Sequence, residues 1–530
     1  MSSAMAAPEI VRILETTRVA PSTESPESSH DFSLPLTFFD TYWFKFPPVE
    51  TLYFYQLDES TSTLCYFTST IIPKLKQSLS LTLLHYLPLA GNLRWPSGSS
   101  KPVILYAPND AISFTTALSE VDNFHILSGK DIHKANELHP LVPQLISSDD
   151  KAEIISLQIT LFPRQGFTIG ITTNHAVIDG RTAVMFMRSW AYLCRQIDDD
   201  DDVKNPTLPP ELTPSFDRSC VEDQARLDML FLNHWLAFNG EYQDPTKRSL
   251  KIFKEMEPVS DDIVRGTFIF TQEDIKKLRE KALSKLDATN TKQLHLSSFA
   301  LTFAYTATCV VKSKGGDSQR QVFIDFGVDC RSRLNPPLPT TYFGDCVICF
   351  HKSAKARDFM EEDGFSFAVK TVSDLVNDIK KGVLEDAEKK MFHFFLPKLP
   401  GLQLIVATGS PRFNAYGADF GLGKIMKVEM VSIDRDEAIS MAECIDVDGA
   451  EEGCSSWEPN SDQLGTKLNR GELQQWPRDP IQQQQCGHNV DCSKTERFPP
   501  VFNRAWSVLQ LLRRGMHAGL THCSASEALE

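Results

Sequence analysis

"NHAVIDG", residues 174–180, sets His175 and Asp179 four residues apart, with Gly180 directly after them. The stretch before it, "GFTIGITT", alternates like a β-strand, and the stretch after it, "RTAVMFMRSWAYLCRQ", has helical periodicity. The motif therefore stands where a strand hands over to a helix. Backbone at such a junction is fixed yet open, which suits a reactive group. Among thirteen histidines, only His175 has Asp at the fourth following position. The bare pattern is weak evidence, because chance supplies roughly one HxxxD in a chain of this length. Asp179 can also be read as the N-cap of the helix, with His175 packed in the turn.

Working outward, "EIISLQITLF" and "GFTIGITT" read as two strands of a hairpin joined by "PRQ". Upstream, "TSTIIPKLKQSLSLTLLHYLPLAGNLR" reads as a helix. Ile71, Leu75, Leu79 and Leu83 recur every four residues, Pro73 suits a first turn, and Gly91 fits the turn that follows. "KPVILYA" is a short strand. Downstream, "IDDDDDVKNPTLPPELTP" is acidic and Pro-rich. Five consecutive Asp cannot share a core, so residues 198–215 read as a solvated linker between a first domain, 1–197, and a second, 216–453. The second half has similar texture. "GTFIF" is a strand. "TQEDIKKLREKALSKL" is a helix capped by Thr271 with Asp274 three residues on. "SSFALTFAYTATCVVK" is an apolar helix, "QVFIDFGVDC" and "CVICFHK" are buried strands, and "FAVKTVSDLVNDIKKG" is a further helix. "KIMKVEMVSID" and "AISMAECIDV" close the pattern as strands. Strands and helices mix without strict βαβ alternation, so the fold class is α/β or mixed α+β, in two domains.

The texture breaks after residue 453. Residues 454–530 are polar with little periodicity, apart from the short apolar "VFNRAWSVLQLLRR", and are expected to form a disordered tail. Within it, "CGHNVDC" offers Cys486, His488 and Cys492 as metal ligands. The spacing is not that of a zinc knuckle and no fourth ligand is evident, so no metal is assigned.

Composition narrows the function classes. The chain has 530 residues, 42% hydrophobic and 23% charged, with a formal net charge of -15. Such a charge argues against nucleic acid, whose phosphates need a basic face. No apolar run reaches membrane-spanning length, and "MSSAMAAPEIVRILE" lacks the layout of a secretory signal. Twelve cysteines lie scattered, several inside apolar runs, and read as reduced thiols of a cytoplasmic protein. There is no GxSxG elbow, P-loop, HExxH or dinucleotide GxGxxG. "DFG" at 419–421 is not a kinase motif, because no HRD loop and no Gly-rich loop with a strand Lys precede it.

Four ordered segments carry a resemblance: "NHAVIDGRTAVMFMRSWAYLC", "TPSFDR", "DCRSRLNPPLPTTYFGDC" and "GSPRFNAYGADFGLGK". Together, over roughly residues 8–450, they resemble the plant BAHD acyltransferases, and within them the branch that acylates anthocyanins and other phenolic glucosides. The resemblance implies a two-domain, chloramphenicol-acetyltransferase-like fold with a channel between the domains. It implies acyl-CoA as co-substrate, commonly malonyl-CoA, no permanently bound cofactor, a phenolic glycoside acceptor, and a monomer. His175 would be the general base, acting directly on the acceptor hydroxyl without an acyl-enzyme. Asp179 would turn away from substrate and pair with Arg331, or else Arg333, to orient the loop. Ser410 in "TGSPRF" is the candidate oxyanion donor, with a turn role as its alternative. Arg181 is the candidate for a malonyl carboxylate, since a guanidinium fork matches one. Lys281 and Lys285 are the candidates for CoA phosphates. Asp419, Gly421 and Gly423 match the branch's structural "DFGWG", with Leu422 where Trp is usual. Asp345 stands where the branch usually has Asn, which adds a charge near the channel. A hydroxycinnamoyl donor is the rival to malonyl. The branch ends in a further strand and helix that the tail does not reproduce. Their loss would leave a neighbouring strand unpaired, so a catalytically silent or misassembled relative is the alternative reading.

Overall fold

The computed structural model describes residues 10–23, 26–129, 132–199, 207–238, 248–251, 259–260, 263–284, 294–391, 394, 401–435, 438–443 and 464–471. Two large sheets organise the described chain. The first runs in the order Val11–Val19, Ile112–Ser119, Ile155–Phe162, Gly166–Thr173, Val49–Gln56, Lys424–Met430. Its centre is the expected hairpin, antiparallel from Gly166 opposite Phe162 to Thr173 opposite Ile155. Both hairpin strands are buried along their whole length, which explains their nearly unbroken apolar and Thr-rich sequence. The second sheet runs Val347–Lys355, Gln321–Asp329, Leu402–Thr408, Ile439–Glu443, Leu464–Gly471, Ile263–Phe270, His133–Lys134. A third, smaller sheet has four strands.

Each large sheet takes an edge strand from the other half of the sequence. Lys424–Met430 lies antiparallel to Val49–Gln56 in the first sheet. His133–Lys134 pairs with Arg265 and Val264 in the second. The sequence boundary at 198–215 is therefore not the boundary between the sheets. Nor are residues 198–215 wholly a solvated linker. The helix Gly180–Asp199 runs into them, and Leu208 and Leu212 are buried. The Leu212 carbonyl accepts hydrogen bonds from Tyr86 and Ser189, and Ser215 bridges to Tyr342.

Local sequence accounts for the main helices. Ile71, Leu75, Leu79 and Leu83 are fully buried, and Ile72–His85 is helical with Pro73 in its first turn. Gln272–Ser284 starts on the expected cap: the Thr271 hydroxyl accepts from the Asp274 amide, while the Asp274 carboxylate takes the Thr271 amide. Ser297 caps Ser298–Lys314 through the Ala300 amide.

The expectation that no strand returns after residue 453 is overturned. Leu464–Gly471 pairs antiparallel with Ile263–Phe270 on one side and Ile439–Glu443 on the other. Two neighbouring strands that would otherwise expose a row of amides and carbonyls are thereby closed. "LGTKLNRG" offers little periodicity, so its placement comes from the partners on either side. The segment containing Cys486, His488 and Cys492 lies outside the described residues, as does Lys285.

Candidate active site

His175 lies in a tight turn between the strand Gly166–Thr173 and the helix Gly180–Asp199. The turn is held by its own backbone: the Val177 and Ile178 amides donate to the Asn174 carbonyl. The imidazole is clamped on three sides. Its face stacks on Trp43, with ring centroids 4.0 Å apart and planes 8° from parallel. Phe46 meets it edge-on at 5.3 Å. Its Nδ1 lies 2.7 Å from Oδ2 of Asp345. The side chain is 13% exposed while the Asp345 carboxylate is fully buried. An ionised carboxylate only accepts, so with Asp345 in that form Nδ1 carries the hydrogen and Nε2 keeps its lone pair. The ring is thus set as a base with one free nitrogen.

Asp345 sits on a turn stitched to the first half of the chain. Its amide donates to Oδ1 of Asp40 (3.2 Å), and the next amide, of Cys346, donates to Oδ2 of Asp179 (3.2 Å). The Gly344 carbonyl accepts from Thr182 and Arg331. Gly344 has φ +141°, and a Cβ there would meet Nη1 of Arg218 at 2.4 Å. Only glycine fits such a bend against a guanidinium. Asp40 caps its own helix through the Thr37 amide and faces Arg218 at 3.3 Å. Burial pushes the Asp345 carboxyl up to about 7, with His175 pulling the other way and Asp179 and Asp40 adding to the rise. Burial also raises Asp40, against the pull of Arg218.

Asp179 combines both roles read from the sequence. Its Oδ1 accepts from the Thr182 amide at 2.9 Å, which is the helix cap. Its Oδ2 lies 2.6 Å from Nη1 of Arg331, both groups buried. Burial works to raise the Asp179 carboxyl, but the Arg331 guanidinium and the hydrogen bonds outweigh it and hold it below the ordinary range. Arg333 donates to the Asp329 carbonyl instead.

The other candidates fall apart from His175. Ser410 lines a narrow cleft between the two sheets, together with Asp179, Gly180, Ile171, Phe413 and Met430; His175 is not part of that lining. The Ser410 hydroxyl accepts from the Arg412 amide, the turn role that was its alternative. Arg181 donates through Nε to Asp329 at 2.7 Å, so one edge of its guanidinium is already occupied. Lys281 lies in the last turn of the helix Gln272–Ser284. Asp419 accepts from the Gly421 amide and meets Arg195 at 3.3 Å. Phe420 is buried edge-on against Trp190 at 4.9 Å. Gly423 has φ +148°, and a Cβ there would strike the Gln56 carbonyl at 2.5 Å. The segment turns the chain into the exchanged strand Lys424–Met430, and Leu422 packs partly buried where an aromatic was expected.

No role was legible from the motifs for Asp40, Trp43, Phe46 or Arg218. The aromatic density of "FFDTYWFKF" was the available signal for the first three, and "TPSFDR" already contained the fourth.

Among the described residues no group of three or more His, Cys, Asp or Glu could hold a metal ion, and no helix is long and apolar enough to cross a membrane.

The family model described as "Transferase family" matches residues 10–452. Phenolic glucoside malonyltransferase 1 of Arabidopsis thaliana is 42% identical over 471 residues, 87% of this chain and 97% of that protein. Malonyl-CoA:anthocyanidin 5-O-glucoside-6''-O-malonyltransferase of Arabidopsis thaliana is 44% identical over 451 residues, covering 83% of this chain and 94% of that protein. Among solved structures, vinorine synthase superposes with a TM-score of 0.56 at 19% identity, covering 87% of this chain and 95% of its own.

Proposed function

The chain belongs to the Transferase family, among its BAHD acyltransferases, and from that premise we propose that it moves a malonyl group from malonyl-CoA to a sugar hydroxyl of a phenolic or flavonoid glucoside, with His175 as general base. The relatives' names support the donor and acceptor classes. The observation that carries the residue assignment is the Nδ1 contact to Asp345, which leaves Nε2 as the free nitrogen of a ring fixed by Trp43.

The step balances as follows. The acceptor oxygen attacks the thioester carbonyl carbon while its proton passes to Nε2, and a C–O bond forms. The tetrahedral oxyanion collapses, the C–S bond breaks, and the CoA thiolate leaves with the proton carried by the imidazolium. One alcohol and one thioester become one ester and one thiol. Thiolate is a good leaving group, so no acyl-enzyme is required. Asp179 orients the loop without touching substrate, through its cap on Thr182 and its pair with Arg331.

Arg181 remains the candidate for the malonyl carboxylate through the amino groups its Asp329 pairing leaves over. Ser410 is the weaker oxyanion candidate, given its engagement with Arg412. Lys281 and Lys285 are carried as CoA contacts on the resemblance alone, as is the monomeric state, while a cytoplasmic location is carried on the scattered cysteines.

The test is thiol release from malonyl-CoA or coumaroyl-CoA against a panel of flavonoid and simple phenolic glucosides, with His175→Ala beside the wild type. The expected result is malonyl-dependent release that His175→Ala lowers by about 10²-fold or more. Equal release by both proteins would remove His175 from the mechanism.

A further inference from the structure

The geometry points to Asp345 as a positioning residue that selects the productive tautomer of His175 and supplies a negative charge to the imidazolium formed during transfer. This rests on His175 being the base. It goes beyond the resemblance, because this position is where the chain departs from its branch.

A carboxylate suits the place for a reason of counting. Two donors converge on the Asp345 side chain: Nδ1–H of His175 on Oδ2 at 2.7 Å, and the Val347 amide on Oδ1 at 3.0 Å. A carboxylate has an acceptor oxygen for each. An amide has one acceptor oxygen and one NH2, so it must disappoint one of the two donors. If the amide oxygen stays on Val347, its NH2 faces Nδ1 and favours the tautomer with hydrogen on Nε2, which cannot take a proton from an alcohol. If the oxygen turns to Nδ1, the Val347 amide loses its partner. A carboxylate also stabilises the imidazolium by charge, at full burial where solvent screens little.

The pair is held from several sides, and other charges act on the Asp345 carboxyl. Asp40 reaches it through the Asp345 amide and is balanced by Arg218. Asp179 stands on the His175 turn and is balanced by Arg331. The Cys349 thiol feels the Asp345 charge, and the Cys349 amide donates to the Tyr42 hydroxyl at the end of the helix Phe38–Tyr42. Trp43 closes the ring's face and bonds through its indole N–H to the Val347 carbonyl. The two arginines offset Asp40 and Asp179, which leaves the Asp345 carboxylate to answer the charge on His175.

The experiment compares wild type, Asp345→Asn and His175→Ala by kcat, KM for both substrates, and the pH profile of kcat/KM with malonyl-CoA and a phenolic glucoside. Asp345→Asn is expected to lower kcat about 3- to 30-fold with both KM values within about twofold, and to move the acidic limb of kcat/KM to lower pH, because the protonated ring loses its counter-charge. An Asp345→Asn profile that superposes on wild type while His175→Ala is inactive overturns this proposal and leaves the base assignment standing. A fully active His175→Ala overturns the base assignment itself. Should Asp345→Asn not fold, Asp345→Ser replaces it with the same readouts. Failure of both to fold assigns Asp345 to stability alone and overturns the proposal.

Discussion

Asp179 and Arg331 form a buried ion pair, 2.6 Å from carboxylate to guanidinium, that fastens the turn bearing His175 to the segment after the strand Gln321–Asp329. Arg331 also donates to the carbonyls of Tyr342 and Gly344 and to the Thr182 hydroxyl. Its charge is therefore surrounded by acceptors, and Asp179 is the fully buried anion that compensates it, with the more exposed Asp329 at 3.1 Å as a second.

Asp179→Asn keeps the shape and a cap for Thr182 but leaves the Arg331 cation buried without that anion. The expected cost is about 3–5 kcal/mol, seen as a lower urea midpoint at unchanged slope. The acidic limb of kcat/KM should move less than in Asp345→Asn, since Asp179 acts on the pair only through space. The sign of the acid effect follows from the depressed carboxyl. Its contribution is complete above the unfolded value near about 3.9 and is lost as pH falls through the lower folded value. An unchanged urea midpoint would refute this role.

Asp325 is a buried carboxyl facing the opposite balance. It is fully buried and faces no charged partner among the described residues, and burial pushes it up to about 7, with a weak hydrogen bond from the Cys349 thiol offsetting this only in part. Unfolded, the group ionises near about 3.9. Between that value and about 7 the folded state holds the extra proton, so stability declines as pH rises through this window. Asp325→Asn removes the titration. Its stability relative to wild type should improve from pH 5 to pH 7.5, reaching a gain on the order of 1–3 kcal/mol. Melting temperatures at both pH values decide it, and a difference that does not vary with pH would refute it.

Ending the chain at residue 453 removes Leu464–Gly471. That exposes one side of both Ile263–Phe270 and Ile439–Glu443. The shortened protein is expected to melt several degrees lower and to aggregate, because two unpaired strand edges offer templates for intermolecular pairing. Equal melting and equal solubility with and without residues 454–530 would show that this strand contributes nothing.

How much of this was legible in the sequence depended on the range of the signal. Local periodicity was readable: the hairpin around Gly166, the buried face of Ile71 to Leu83, and the Thr271 cap all follow from residues within one or two turns of each other. The pairing of Asp179 with Arg331 was readable because four motifs occur together in order, and the structure joins the two as that resemblance implied. What could not be read was whatever joins distant segments. Asp345 showed only as an unusual residue, since its partner lies 170 positions away. Asp40 and Trp43 belong to an aromatic run with no motif of its own, and gain meaning only against residues of the second half. The strand Leu464–Gly471 failed for a related reason: a Gly- and Lys-containing stretch has weak β preference, and neighbouring strands supply the pairing.

The reciprocal exchange of edge strands bears on how such proteins can be recombined. A chimaera spliced at the acidic run would carry Lys424–Met430 of one parent into the sheet of the other, against a Val49–Gln56 it was not selected to match. A joint that respects the spatial units must move residues 424–430 with the first half, so the seam suggested by the acidic run and the molecule's own seam are different places.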